Sequence, residues 1–531
     1  MNKKTFIILF FICCLSLFIN LYKKNSSPPC FNTDEASFGY NAYSILKTGR
    51  DEYGTLLPLR LKSFGDYKMP LYSYLSIPFI VIGGLNEVST KALNSTIAFL
   101  FPIIIFLLSK QLFGKNNIGY LAAFLFSLTP AIQAIGRQAH EAYLTTFFIT
   151  LSLWLLLKSL SRSHNLYKAL FLISLIPLSF GYQFSRLWLI IFFVITIYFM
   201  LRKKLNLKFL FIFLIFLGIL SIPDFNINPA RVKNLLFFNN IGLGLQTAEL
   251  RSEGGTRLIY NKATVGLKNL IFNHLSYYSP EFLVIKGDEN KRFNYEGISP
   301  ITLIEYLFIF VGLYYLFKNK EKDRYILILC LLVSPLPSSL AWAGNSITRC
   351  LPLIIFLNLI SAYGFFYLIN GQLNKTISKI ILILFLITYL IFNFYSWNFY
   401  FNHYPKRSQT IRSWNCGNKE MANYIKNNYA NFDHFYITRK NSQPYIFLLF
   451  YLPVNPSSYQ KQAFLSAPDE FGFGQIVKFD KFNFNFQYNP QNKKTVSIGY
   501  PEDFNNQNLN KDQLKKIKIG TEEMFWIYEQ N

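Results

Sequence analysis

Residues 6–22 read FIILFFICCLSLFINLY, an apolar run preceded by Lys3-Lys4. A cleaved signal peptide would carry a small-residue cleavage site after such a run. None follows, so the segment is read as a retained first helix with its N-terminus in the cytoplasm. Comparable runs recur at 88–112, 118–136, 141–158, 166–181, 187–201, 209–222, 301–317, 325–341, 351–370 and 378–397. Each approaches the length of a bilayer crossing, which gives about eleven spans. The expected fold class is therefore an α-helical polytopic membrane protein.

Composition agrees. Of 531 residues, 52% are hydrophobic and 15% charged, against roughly 25% charged in soluble proteins. The net charge of +25 would suggest nucleic acid in a soluble chain. Here the lysines and arginines cluster between apolar runs, so no nucleic-acid partner is inferred. Alternation of the spans puts Lys110/Lys115, Lys158/Arg162/Lys168, Arg202/Lys203/Lys204/Lys208, Lys318/Lys320/Lys322/Arg324 and Lys375/Lys379 on the cytoplasmic side. Short basic connections belong there. The loops 23–87 and 223–300 and the tail from about 398 then lie outside the cytoplasm. The expected division is a membrane domain, 1–397, followed by a small extracytoplasmic α/β domain, 398–531. In that tail, Lys419 to Tyr429 has helical spacing, Phe482 to Tyr488 alternates as a half-buried strand, and Met524 to Tyr528 reads as a last strand. The apolar stretch 69–85 carries two prolines and ends in Gly83-Gly84. It is read as an interfacial helix, since a crossing there would invert every later loop.

Of six cysteines, Cys13, Cys14 and Cys330 lie in apolar runs and Cys350 at the edge of one. Cys30 and Cys416 are aqueous, which leaves a disulfide between them open. No zinc spacing is present.

The candidate chemistry lies at the outer helix ends. Asp34 and Glu35 follow the first span. Asn32-Thr33-Asp34-Glu35 can start a helix, and a carboxylate at a dry, membrane-flanked site can also serve as a general base; the two readings are compatible. Asp66-Tyr67-Lys68-Met69-Pro70 comes next. Pro70 suits a first helical position, and Lys68 beside that positive end can bind an anion, naturally a lipid-linked phosphate. Arg137, His140 and Glu141 occupy the next outer turn, Tyr182, Gln183 and Arg186 another, and Arg349 opens the tenth span. Three arginines on the outer side are read as a phosphate-binding rim, with Glu141 as a second carboxylate or an ion-pair partner.

Together these residues resemble glycosyltransferase family 39, the membrane enzymes related to protein O-mannosyltransferases and the lipid A aminoarabinose transferase, which have the C-type glycosyltransferase fold. The resemblance rests on Asp34-Glu35-Ala36-Ser37-Phe38-Gly39-Tyr40, Tyr67-Lys68-Met69-Pro70-Leu71-Tyr72, Arg137-Gln138-Ala139-His140-Glu141, Tyr182-Gln183-Phe184-Ser185-Arg186, Ile347-Thr348-Arg349-Cys350-Leu351-Pro352 and Gln443-Pro444-Tyr445-Ile446-Phe447. It implies a polyprenyl-phosphate-linked sugar donor, inverting transfer on the outer face of a prokaryotic plasma membrane, and a protein, lipid or polysaccharide acceptor. It implies Asp34 at the catalytic centre with Glu35 beside it, and Lys68 near the lipid phosphate. The second acidic position, often Asp in the family, is Glu141. The remaining outer residues, Asp66, Arg137, His140, Tyr182, Arg186 and Arg349, are expected to bind substrate. No cofactor is required by this scheme, and a divalent metal stays open. The contrasting readings are a transporter or lipid-linked sugar flippase, and a glycan polymerase or ligase. Transporters place ionisable groups near the bilayer midplane, whereas here they gather at helix ends.

Overall fold

The computed structural model describes residues 2–64, 66–161, 165–221, 239–293, 299–341, 344–371, 374–467, 474–488, 494–505 and 514–530, without the side chain of Asp66. Arg162 and parts of the expected outer loop 223–300 lie outside the described residues. The chain forms two compact units. The first comprises Met1–Tyr22, Asn94–Arg137 and Glu141–Tyr400; the second comprises Lys23–Leu93, Gln138–His140 and Phe401–Asn531.

Each expected span is built around a helix: α1 (Lys3–Leu21), α4 (Glu87–Phe113), α5 (Asn116–Leu128) with α6 (Pro130–Gly136), α7 (Glu141–Ser161), α8 (Asn165–Phe180), α9 (Ser185–Leu201), α10 (Leu207–Ser221), and later Leu303–Lys318, Arg324–Val333, Ile347–Asn370 and Lys375–Asn402. Among the described residues, five helices are long and apolar enough to cross a membrane, and α5–α6 makes a sixth if that pair, bent by 61°, is one span. The bend falls at Thr129-Pro130 because Pro130 has no N–H to continue the ladder and pushes its predecessor out of the helical region. The other apolar helices are shorter, so the length criterion is met by fewer segments than the eleven expected.

In the first unit, Ile347–Asn370 is buried along most of its length, from Ile347 to Phe365 except around Arg349. It crosses Leu303–Lys318 at small residues. A Cβ on Gly312 would overlap the carbonyl oxygen of Ile360, and one on Gly364 would overlap the Gly312 backbone nitrogen. Two backbones in such contact gain van der Waals packing that larger residues would prevent. Lys375–Asn402 instead exposes Ile380, Ile383, Ile387, Ile391 and Phe394, a surface fit for lipid.

In the second unit, α2 (Thr33–Thr48) and α3 (Leu71–Gly83) flank a hairpin of β1 (Leu61–Ser63) and β2 (Asp66–Lys68). A helix Asn418–Asn428 precedes β3 (His434–Ile437), and a helix Pro444–Tyr451 follows it. The strands β4 (Phe464–Leu465), β5 (Ile476–Phe479), β6 (Phe482–Asn483), β7 (Thr495–Gly499), β8 (Lys515–Ile519) and β9 (Glu522–Gln530) complete a sheet ordered β4-β5-β6-β3-β7-β9-β8. β3 is parallel to β6 and β7, and the remaining pairs are antiparallel. The predicted strand at 482–488 is shorter than its alternation suggested: ladder pairing covers only Phe482–Asn483, and Phe486 turns to pack on Phe504. The first loop groups with the tail rather than with the membrane helices, a difference from the division expected at 397. Its covalent part is a disulfide between Cys30 and Cys416, 386 residues apart. A long-range crosslink restricts the unfolded chain and typically stabilises by about 2–5 kcal/mol.

Gly312→Val should disrupt the helix crossing, with an overpacking cost of about 1–3 kcal/mol. The check is the melting temperature of the detergent-purified chain, which should fall; an unchanged value would contradict the close approach.

Candidate active site

The site begins with a helix cap. Asn32 is the N-cap of α2: its side chain accepts the N–H of Glu35, and Glu35 Oε2 accepts the N–H of Asn32 at 3.0 Å. This reciprocal pairing satisfies two donors that a helix start would leave free. The other Glu35 oxygen accepts the backbone N–H of Ala139 at 2.8 Å and lies 3.8 Å from Lys91 Nζ. Glu35 is 1% exposed. Burial pushes its carboxyl above the usual range, while Lys91 and the two N–H groups pull it back. Both oxygens of Glu35 are thus engaged.

Asp34, one residue earlier, points elsewhere. Its side chain is 41% exposed and pairs with Lys68 Nζ at 2.6 Å. Lys68 is held from several sides. It stands in β2, paired with Leu61 across the hairpin. Its ammonium lies 5.4 Å from the ring centre of Phe38 and 4.3 Å from that of Phe64, an aromatic cradle that favours a cation. Pro70 follows and is the N-cap of α3.

A second acidic pair, absent from the sequence reading, lies in the same unit. Asp51 and Glu52 are both buried. Asp51 closes a turn by accepting the N–H groups of Tyr53 and Thr55, the habit of an Asx turn. Glu52 Oε1 accepts the hydroxyl of Tyr445 at 3.1 Å, and its own N–H is taken by Asn41. The Tyr445 ring lies 6.0 Å from that of Phe64, which carries Lys68. Contacts thus run from Glu52 through Tyr445 and Phe64 to Lys68. Burial raises the Glu52 carboxyl to about 8, assisted by Asp51 and opposed by Tyr445 and Lys68. The signal that could have found it is Asp51-Glu52-Tyr53-Gly54, a turn carrying two adjacent carboxylates.

The remaining candidates are divided between the two units. Arg137, in the first unit, is fully buried and donates to the carbonyls of Ile19, Asn20 and Tyr22, with the Tyr400 ring against its guanidinium. It therefore caps the C-terminus of α1, where the last carbonyls lack helical partners. Glu141 sits in the first turn of α7 and Arg186 in that of α9, both partly buried. Tyr182 stacks edge-on against Phe184. Arg349 lies in the first turn of Ile347–Asn370, where its charge acts on Asp288, whose Oδ2 also accepts the N–H of Ile347 at 2.6 Å. His140 is partly buried in the short second-unit segment Gln138–His140. Asp66 opens β2, and its side chain lies outside the described residues. Among the described residues, no three His, Cys, Asp or Glu side chains are grouped to hold a metal ion.

The fold is that of the C-type membrane glycosyltransferases. The chain is similar over 99% of its length to 98% of ArnT from Cupriavidus metallidurans bound to undecaprenyl phosphate, with a TM-score of 0.57 and 10% identity. It is also similar to the Archaeoglobus fulgidus oligosaccharyltransferase tethered to an acceptor peptide, with a TM-score of 0.54 and 12% identity, 85% of this chain matching 63% of that one. A further structure of the archaeal enzyme, with an inhibitory peptide and a dolichol-phosphate, matches at a TM-score of 0.51 and 13% identity, again over 63% of its length. The chain thus spans less than two thirds of the archaeal oligosaccharyltransferase. No protein-family profile and no curated protein matches the sequence.

A buried acid with a raised pKa makes a pH prediction. Folded Glu52 keeps its proton up to about 8, while the unfolded chain loses it near 4.5. Stability contributed by this group therefore falls as pH rises between those values, by at most about 1.4 kcal/mol per unit, and levels off above. The melting-temperature advantage of Glu52→Gln over the parent should grow across that window; parallel curves would contradict the buried acid.

Proposed function

We propose that this chain transfers a sugar from a polyprenyl-phosphate-linked donor to an acceptor hydroxyl on the outer face of a prokaryotic plasma membrane. The observation that carries the reading is the Asp34–Lys68 pair: an accessible carboxylate against an aromatic-cradled ammonium, at the motif positions that resemble family 39. The reaction is one inverting displacement. The acceptor oxygen forms a bond to the anomeric carbon as the bond from that carbon to the phosphate oxygen breaks. The electron pair leaves with the polyprenyl phosphate, and the acceptor proton passes to Asp34. Lys68 stabilises the departing phosphate without protonating it. A phosphate at this site competes with Asp34 for the ammonium of Lys68.

Glu35 holds the start of α2 in place and takes no proton. On the motif resemblance alone, Glu141 stays in the proposal as a second catalytic carboxylate and Asp66, His140, Tyr182, Arg186 and Arg349 stay as substrate contacts; Arg137, expected to bind substrate, is reassigned to positioning because it donates to three carbonyls of α1 and its end. Two features support an outer-face site. Cys30 and Cys416 form a disulfide, which persists in oxidising compartments, and the basic connections fall on the opposite side by alternation. Zinc and sulfate are bound in one structure of the archaeal oligosaccharyltransferase; the charge scheme here uses Lys68 and requires no metal.

Asp34→Asn should lower transfer from a polyprenyl-phosphate sugar by about 10²–10⁴-fold while the folded yield in membranes is kept. Near-normal transfer by the folded variant would refute the assignment. Substrate uptake unaffected by the substitution would favour a transporter.

A further inference from the structure

The second unit contains a cavity lined by residues of the tail. It has a volume of about 350 Å³ and is lined by Arg412, Ser413, Asn441, Tyr500, Glu502 and Glu523 among others. Its place in the sheet is informative. From β3 the chain passes to β6 on one side, then to β7 on the other, so the strand order reverses at β3. Asn441 follows β3, and Tyr500 and Glu502 follow β7. The cavity therefore opens beyond the carboxyl ends of two adjacent parallel strands whose onward connections diverge. In open α/β sheets this crevice is where ligands bind, because diverging connections leave it uncovered.

The lining chemistry limits what fits. Arg412 is paired to Glu522 at 3.0 Å, and Glu523 is paired to Lys516 at 3.2 Å and Lys518 at 2.9 Å. The cations are thus matched by carboxylates, and Glu502 adds an exposed acid. Such a lining disfavours phosphate and other anions. The lining combines donors (Arg412, Asn441) and an exposed acceptor (Glu502) with the ring of Tyr500, while Ser413 already donates to Gln409 and Glu523 accepts from Lys516, Lys518 and Trp526. Tyr500 is fixed there by the Phe525 ring at 4.9 Å and by the bond from its N–H to Asp503 at 2.9 Å. A saccharide matches this: its hydroxyls both donate and accept, and its C–H face packs on aromatic or apolar walls. The volume is at the small end of ligand sites, roughly 300–1,000 Å³, which suits one or two sugar rings.

We infer that the tail carries a binding subsite for a neutral mono- or disaccharide. On the transferase reading, it would hold the glycan part of an acceptor. Binding at the subsite does not depend on that reading.

The test is saturation-transfer NMR on the full chain in detergent, with cellobiose and maltose as probes, glucose 6-phosphate as the anionic control and acetyl-Gly-Ser-Gly-amide as the peptide control. The expected result is transfer to at least one disaccharide, exceeding that to either control. The signal should fall at least fivefold in both Asn441→Trp, which fills the cavity, and Glu502→Ala, which removes an acceptor. Melting temperatures near that of the parent confirm that both variants are folded. Asp34→Asn should bind the disaccharide as the parent does. That separates the two proposals, because sugar transfer can fail while this binding holds, and the reverse. No transfer to either disaccharide, a stronger signal from a control, or signals unchanged by both substitutions would overturn the inference.

Discussion

The buried carboxylate of Glu35 is the constraint on which the rest of the candidate site depends. A carboxylate removed from water must be fully bonded, since an unpaired one costs several kcal/mol. Glu35 meets this with the N–H groups of Asn32 and Ala139 and the ammonium of Lys91. Those bonds fix the first turn of α2 and tie it to the Gln138–His140 segment. Once the cap is fixed, the preceding residue has little choice of direction. Asp34 emerges on an exposed side of the same turn, against Lys68.

Two adjacent acids thus occupy opposite environments. One is shut away with its oxygens engaged, and the other is accessible with the Lys68 ammonium beside it. Pairs of carboxylates commonly divide their work in this way, because environment rather than residue type sets what each can do. Asp51 and Glu52 repeat the theme without an accessible member. Asp51 shapes a turn, and Glu52 meets Tyr445 across 393 residues of sequence. Through Phe64 that contact reaches the ring over which Lys68 stands. The first loop and the tail are therefore one body of packing, and the disulfide adds a covalent tie to it.

The apolar runs were legible because a bilayer demands length and continuity, and both are properties of contiguous sequence. Asp34 and Lys68 could be proposed together because each lies in a short motif at or just before a helix start, and the structure pairs their side chains. What could not be read came from contacts between distant segments. An arginine at an outer helix end looks the same whether it meets phosphate or carbonyls; only the approach of α1 makes Arg137 a cap. Cys30 and Cys416 were recognisable as the aqueous cysteines, but their pairing needed the fold. Glu52 passed unnoticed because its importance lies in Tyr445, far along the chain. The alternation from Phe482 to Tyr488 overstated the strand, since burial on one face does not guarantee a hydrogen-bonded neighbour throughout.

The central claim is that Lys68 receives the phosphate of a polyprenyl lipid while Asp34 faces the acceptor. An experimental structure of the chain with undecaprenyl phosphate tests it most directly. The account predicts phosphate density within ion-pair distance of Lys68 Nζ, about 4 Å or less, with the Asp34–Lys68 contact lengthened. Phosphate bound elsewhere, with that contact intact, would contradict it.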